Sequence, residues 1–159
     1  MLSALVLAMW ILIPGFLLEF PPIRSRSMLP TLQPGQRVLL FKAAYGLRWP
    51  GSPSWLLRWG APGRDTIVIL NSPVDGGRLV KRVRGLPGDR LSQIDGQLWI
   101  NDVKIGPLSE ADLPAVLPAD TYLVCGDAVE KSIDSRHFGC VPGTAILGPV
   151  SPPFSLFPR

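Results

Sequence analysis

Between Leu2 and Leu18 the chain carries no charged residue, and the first charge is Glu19. A helix that crosses a bilayer needs about 20 mainly apolar residues, with a lower limit near ~17. This run meets that length, so residues 1–20 read as one transmembrane helix serving as a membrane anchor. A cleaved secretory signal is the competing reading. Against it, no Lys or Arg precedes the run and no small-x-small pattern follows it. Cleavage would also fall almost on the unusual stretch Ser25-Arg26-Ser27-Met28-Leu29-Pro30-Thr31-Leu32. An uncleaved anchor is therefore expected. Its orientation is poorly marked: Arg24 and Arg26 follow it, which the positive-inside rule makes the wrong flank for a domain outside the cell.

Beyond the anchor, 18 prolines and 16 glycines in 159 residues favour short strands and many turns over long helices. Strands are expected over Gln36 to Ala43, Asp65 to Leu70, Arg78 to Val83, Thr121 to Cys125 and Val141 to Val150. Leu91 to Ile100, with Asp95-Gly96 at its centre, reads as a hairpin. The fold class that follows is mostly β, an antiparallel domain over 21–159 after one N-terminal transmembrane helix. Near 45–60, Trp49, Trp55 and Trp59 beside Leu56 and Leu57 form an expected membrane-facing lip at the lipid headgroups.

The octapeptide around Ser27 suggests a nucleophile. Pro30 fixes its own φ and pushes Leu29 towards an extended conformation, so an open, stiff backbone is expected there. A serine nucleophile needs a base within hydrogen-bond reach. One candidate is His137, the single histidine, with Asp134 or Asp127 behind it. The other is Lys81, which alternation places on one strand face with Leu79 and Val83. A free lysine titrates near about 10.4, so a neutral amine at neutral pH requires burial among apolar groups. Ser-Lys pairs are a known variant of nucleophile activation. The net charge of +4 suits an anionic bilayer surface as readily as nucleic acid. With no zinc-ligand cluster in the sequence, neither nucleic acid, a metal nor a cofactor is expected.

Three stretches resemble type I signal peptidases, membrane-bound Ser-Lys enzymes that remove signal peptides from exported proteins. They are Ser25-x-Ser27-Met28-x-Pro30-Thr31-Leu32, Lys81-Arg82-Val83-x-Gly85-Leu86-Pro87-Gly88-Asp89, and Gly126-Asp127 followed after four residues by Ser132-x-Asp134-Ser135-Arg136-x-Phe138-Gly139-x-Val141-Pro142. The resemblance implies Ser27 as nucleophile and Lys81 as general base. It implies that the Ser27 N–H and the Ser25 hydroxyl hold the oxyanion, and that Ser132 orients the Lys81 amine. Asp134 and Arg136 are implied as a structural ion pair, with Asp127 in the same network. Ile23, Met28, Leu32, Leu79 and Val80 are implied to line a shallow apolar cleft. That cleft would take signal peptides of preproteins with small residues at −1 and −3, added as a β-strand. The implied location is a bacterial cell membrane, single-pass, with the catalytic domain on the extracytoplasmic side.

The chain departs from that pattern at Arg24, where a proline is common, at Ala128-Val129 after Gly-Asp, and at Arg64-Asp65. Cys125 and Cys140 bracket the third motif, either as a disulfide or as two small buried thiols. Three rivals remain. One is a specialised pilin-maturing peptidase of conjugative transfer, and another a catalytically silent membrane scaffold. The third, a self-cleaving repressor of the SOS type, lacks its expected helix-turn-helix here.

Overall fold

The computed structural model describes residues 17–49, 52 and 54–151. The anchor expected over 1–20 thus lies outside the described residues as far as residue 16. Among the described residues no helix is long and apolar enough to cross a membrane. The described end of the apolar run is strand: Leu18 and Glu19 pair antiparallel with Phe41 and Leu40. Side-chain charge favours that placement, because the Glu19 carboxylate pairs with Arg78 and lies 3.4 Å from Lys42.

The strands are β1 (Leu18–Glu19), β2 (Leu39–Phe41), β3 (Gly46–Arg48), β4 (Trp55–Arg58), β5 (Ile67–Asn71), β6 (Arg78–Gly85), β7 (Leu91–Ile94), β8 (Gln97–Ile100), β9 (Val103–Pro107), β10 (Thr121–Cys125), β11 (Val141–Pro142) and β12 (Ile146–Ser151). One short helix, α1 (Ser135–Phe138), follows β10. Seven strands form the main sheet in the order β1-β2-β12-β5-β6-β10-β11, with every pair antiparallel. The expected mostly β, antiparallel class is therefore the observed one.

The main sheet is buried on both faces at its centre. Val68 and Leu70 of β5 point into one cluster with Val83, Val124, Tyr122 and Ile146. Ile67 and Ile69 point the other way, into a cluster with Ile23, Met28, Leu32, Leu40 and Val80. This explains why the β5 sequence reads as an unbroken apolar run rather than an alternation. On β6 the alternation holds as expected: Leu79 and Val83 join the first cluster and Val80 the second. The hairpin at Asp95-Gly96 forms as β7 and β8, and β9 extends it to three strands. That small sheet packs Leu91, Leu98 and Ile100 on Leu117, Leu123 and Cys125.

Three expectations change in detail. The strand expected over Gln36 to Ala43 shrinks to Leu39–Phe41. That expected over Val141 to Val150 is split into β11 and β12 by a 3-10 turn at Gly143–Ala145. In the hairpin β3–β4, Trp49, Leu56, Leu57 and Trp59 are exposed as a lip requires. Trp55 is not part of it: its ring lies 4.0 Å below the Arg48 guanidinium and packs on the core, an attraction of cation for ring face.

The join between β2 and β12 depends on an absent side chain. A Cβ at Gly148 would overlap the Phe41 carbonyl oxygen and come 3.1 Å from Leu40 Cδ1. Backbone cannot yield there without parting the strands. Gly148→Ala should therefore lower stability by about 1–3 kcal/mol. Denaturant titration checks this, and an unchanged midpoint would show that β2 shifts freely.

Candidate active site

Ser27 does not sit in open, extended chain as expected. It begins a hydrogen-bonded turn, with Leu29 N–H donating to Arg26 O (3.2 Å) and Leu32 N–H to Met28 O (2.9 Å). The Leu29–Pro30 peptide within it is cis. The reason for the compact turn is packing: Met28 and Leu32 are fully buried and draw the segment onto the core. Ser27 is itself only 5% exposed. Its hydroxyl lies 3.1 Å from the Ser25 hydroxyl, and its N–H donates to no group among the described residues.

Lys81 comes from β6 and is 3% exposed. Its ammonium donates one hydrogen bond, to Ser132 Oγ at 2.7 Å. Burial drives its pKa below the ordinary 10.5. Asp134 and Cys125 oppose that shift, and Arg136 adds to it. The cause is desolvation of a charge that has no carboxylate in direct contact. No hydrogen bond joins Lys81 to Ser27 among the described residues.

What brings the two together is the turn after β10. Ala128 N–H donates to Ser27 O (2.9 Å), tying that turn to the serine segment. A Cβ on Gly126 would overlap Ser132 Oγ and lie 2.6 Å from Ser27 O. The hydroxyl that holds Lys81 and the carbonyl of Ser27 thus meet over one residue without a side chain. In the sequence Gly126 is only one member of the third motif. Its role in close approach depends on neighbours 99 and six positions away, which no local pattern encodes.

Two carboxylates hold this turn. Asp134 accepts Gly126 N–H (2.9 Å), caps α1 through Arg136 N–H (3.2 Å), and takes both Arg136 Nε (2.9 Å) and Nη2 (2.7 Å). Burial alone would raise its pKa, but Arg136, the Ser132 hydroxyl and the Gly126 N–H hold it below the ordinary carboxylate value. Asp127 receives Arg82 Nε (2.8 Å) and Nη2 (2.7 Å) and the Thr31 hydroxyl (2.6 Å). Arg82 and Thr31, not singled out from the sequence, therefore clamp the serine segment against β6. Alternation along β6 carried the signal for Arg82, since it sends that side chain to the face opposite Lys81.

His137 stands apart from Ser27. Its Nδ1 faces the Asp134 N–H (3.4 Å) and its Nε2 the Ser109 hydroxyl (3.2 Å). Both ring nitrogens are thus engaged, one within the turn and one with the segment after β9, and the Ser-His-Asp alternative finds no geometry here. Cys125 and Cys140 are free thiols in one apolar cluster, and burial pushes the Cys125 thiol up to about 12.

Beside Ser27 opens a groove of about 550 Å3, lined by Ile23, Leu79, Val80, Ser25 and Ser27 among others. Of the cleft residues expected, Met28 and Leu32 do not line it; they lie in the core cluster behind Ile23 and Val80. Two free strand edges bound the groove. β5 covers β6 along Arg78 to Arg82 on one side, but β10 covers the other side only from Arg82 onward. Val83 bonds Thr66 and Asp65 on the β5 side, so by alternation Leu79 is also taken up by β5, and Arg78 and Val80 keep the open backbone groups. Opposite, Pro21 and Ile23 are bonded to Val38, Gln36 and Gly35, which leaves the next backbone groups, at Pro22 and Arg24, turned to the groove.

The family model described as signal peptidase, peptidase S26 matches residues 1–155. The chain belongs to that family. It is 33% identical to a probable signal peptidase I-2 of Synechocystis, over 93% of this chain and 67% of the relative. To a signal peptidase I of Bacillus licheniformis it is also 33% identical, over 84% and 73%. A thylakoidal processing peptidase of Arabidopsis thaliana matches at 32% over 87% of this chain and 42% of that one. The chain thus spans about two thirds of the length of the bacterial relatives. A solved signal peptidase I of Enterococcus faecalis superposes on 57% of this chain and 97% of that one, at 29% identity and a TM-score of 0.46.

The burial of Lys81 has a definite consequence for stability. Between its lowered native pKa and its ordinary value of 10.5 the unfolded chain binds more protons, so stability rises with pH across that window. Below the window the full destabilising effect is present. Lys81→Met should be more stable than the parent at neutral pH, with the difference shrinking towards pH 10.5. Unfolding curves at a series of pH values check both sign and window. Gly126→Ala should in turn move Ser132 off the amine, and an NMR titration of Lys81 should show the shift.

Proposed function

We propose that the chain is a type I signal peptidase that cuts preproteins with Ser27 as nucleophile and Lys81 as general base. The observation that carries this reading is a buried lysine amine whose hydrogen bond goes to one hydroxyl, on a strand with a free edge beside a buried serine. Substrate enters the groove as an extended strand and bonds the open edges at Arg78 and Val80 and at Pro22 and Arg24. Entry expels water and deepens the desolvation that favours the neutral form of Lys81. The neutral amine takes the Ser27 proton, with Ser132 holding it in line. The Ser27 oxygen attacks the scissile carbonyl, and the oxyanion is held by the Ser27 N–H and the Ser25 hydroxyl. The protonated amine then passes its proton to the leaving amine, and water hydrolyses the acyl-serine. Ile23, Leu79 and Val80 restrict the side chains beside the cut to small ones. Asp127, Asp134 and Arg136 position the machinery and touch no reacting atom.

The apolar run ahead of β1 anchors the domain in a cell membrane as a single span, and Leu18–Glu19, expected within it, belong to the sheet. The exposed Trp49, Leu56, Leu57 and Trp59 rest at its headgroups, on the extracytoplasmic side where exported chains emerge. These assignments follow from the run's length, from aromatic groups at an interface, and from family membership.

Ser27→Ala should abolish cleavage of a preprotein in detergent or vesicles while circular dichroism stays unchanged. Lys81→Arg should be almost inactive, since a guanidinium stays charged at any workable pH. The parent rate should rise with pH through a lowered lysine value. Turnover by Ser27→Ala near the parent rate, or a rate independent of pH below 10, would remove the Ser-Lys assignment.

A further inference from the structure

The groove beside Ser27 is not uniformly apolar. Its lining includes Arg24 on one wall and Arg78 on the other, with Glu19 as the one carboxylate. Glu19 is already committed: it pairs with Arg78 and also lies 3.4 Å from Lys42. Arg24 is exposed and enters no ion pair among the described residues. Two guanidiniums therefore face a groove whose only anion is shared with a third cation. The neighbouring walls, Phe20, Ile23, Ile69 and Val80, are apolar, which lessens screening of whatever charge enters.

We infer that Arg24 and Arg78 form a cationic subsite that selects an acidic side chain in the substrate, upstream of the cut. This rests on the peptidase reading above. Direction follows from the groove's two ends. One end is Ser27; the other, at Glu19 and Phe20, immediately follows the apolar run. A signal peptide whose apolar segment lies in the membrane enters from that end, so the groove holds the residues before the scissile bond. Arg78 precedes Lys81 by three residues, about 10 Å along a strand. Arg24 precedes Ser27 by the same number. A substrate strand between these edges brings its fourth or fifth residue before the cut beside both guanidiniums. The backbone of Arg24 bonds that strand, so its side chain is held next to the substrate, not swept through solvent.

The test uses soluble peptides with Ala at −1 and −3 and Asp, Ala or Lys placed singly at −2, −4 or −5. Cleavage is read as kcat/KM by the intact chain in detergent. Binding to the Ser27→Ala variant is read by fluorescence anisotropy. Asp at −4 or −5 should exceed Lys there by about two- to fivefold in both readouts, the range of a partly exposed ion pair. The ratio should fall towards one in 0.5 M salt, where screening shortens to a few ångströms. Arg24→Glu should invert it and Arg24→Lys keep its sign. Equal handling of Asp and Lys peptides, or a preference that Arg24→Glu leaves intact, overturns the inference while leaving the peptidase reading in place. Cleavage of none of the peptides, with the Asp preference kept in binding, overturns the peptidase reading and leaves the subsite. A charge effect seen only with anionic vesicles and absent for the soluble peptides assigns Arg24 to lipid and overturns the subsite.

Discussion

The desolvation of Lys81 is the condition on which the rest of this site depends. An ammonium in the core is costly unless it is paired, and a direct carboxylate partner would hold it charged. Here the amine has a hydroxyl, Ser132, at 2.7 Å, and its carboxylate neighbour Asp134 is taken up by Arg136. The arrangement leaves Lys81 buried, hydrogen-bonded and biased towards neutrality. Each surrounding feature follows from keeping it so: apolar Leu79 and Val83 on its strand face, and a turn rigid enough to hold one hydroxyl in place.

That rigidity comes from two ion pairs with different duties. The pair Asp134–Arg136 is almost wholly buried and organises the turn from inside, bonding Gly126 and capping α1. Losing one member of such a pair strands the other charge, which costs far more than the pair contributes. The pair Asp127–Arg82 works between segments, because Thr31 joins it from the serine segment. One carboxylate thus fixes where Ser132 is, and the other fixes where Ser27 is relative to β6. Gly126 sits where the two demands meet, and only a residue without Cβ leaves room for both.

The sheet explains why Ser27 lies beside a groove and not within the core. β6 is long, and β10 covers only its second half, so the first half keeps an unpaired edge. An exposed edge is normally a hazard for aggregation. It is tolerated here because the segment Pro21–Ser25 stands opposite, and the gap between them is shaped for one more strand. Charges at its far end, Glu19, Arg78 and Arg24, make that gap unattractive to a purely apolar edge of another molecule.

Much of this was legible in the sequence. The β class, the hairpin at Asp95-Gly96 and the β6 alternation followed from patterns of period two and from turn residues, which act locally. The spacing of motifs around Ser27, Lys81 and Ser132 was sufficient to bring those residues under consideration, because their chemistry is intrinsic to residue type. Residue type and spacing left His137 and Lys81 both open as base, and only the resemblance of motifs pointed to Lys81, because burial and bonding of each nitrogen are set by tertiary packing. The sequence could not show that Trp55 turns inward while Trp49 and Trp59 stay out, or that Met28 and Leu32 sit behind the groove. The Arg82–Asp127–Thr31 clamp and the close approach at Gly126 were equally hidden. Each joins residues distant in the chain, and only tertiary packing determines the distances at which charge, burial and a missing side chain take effect.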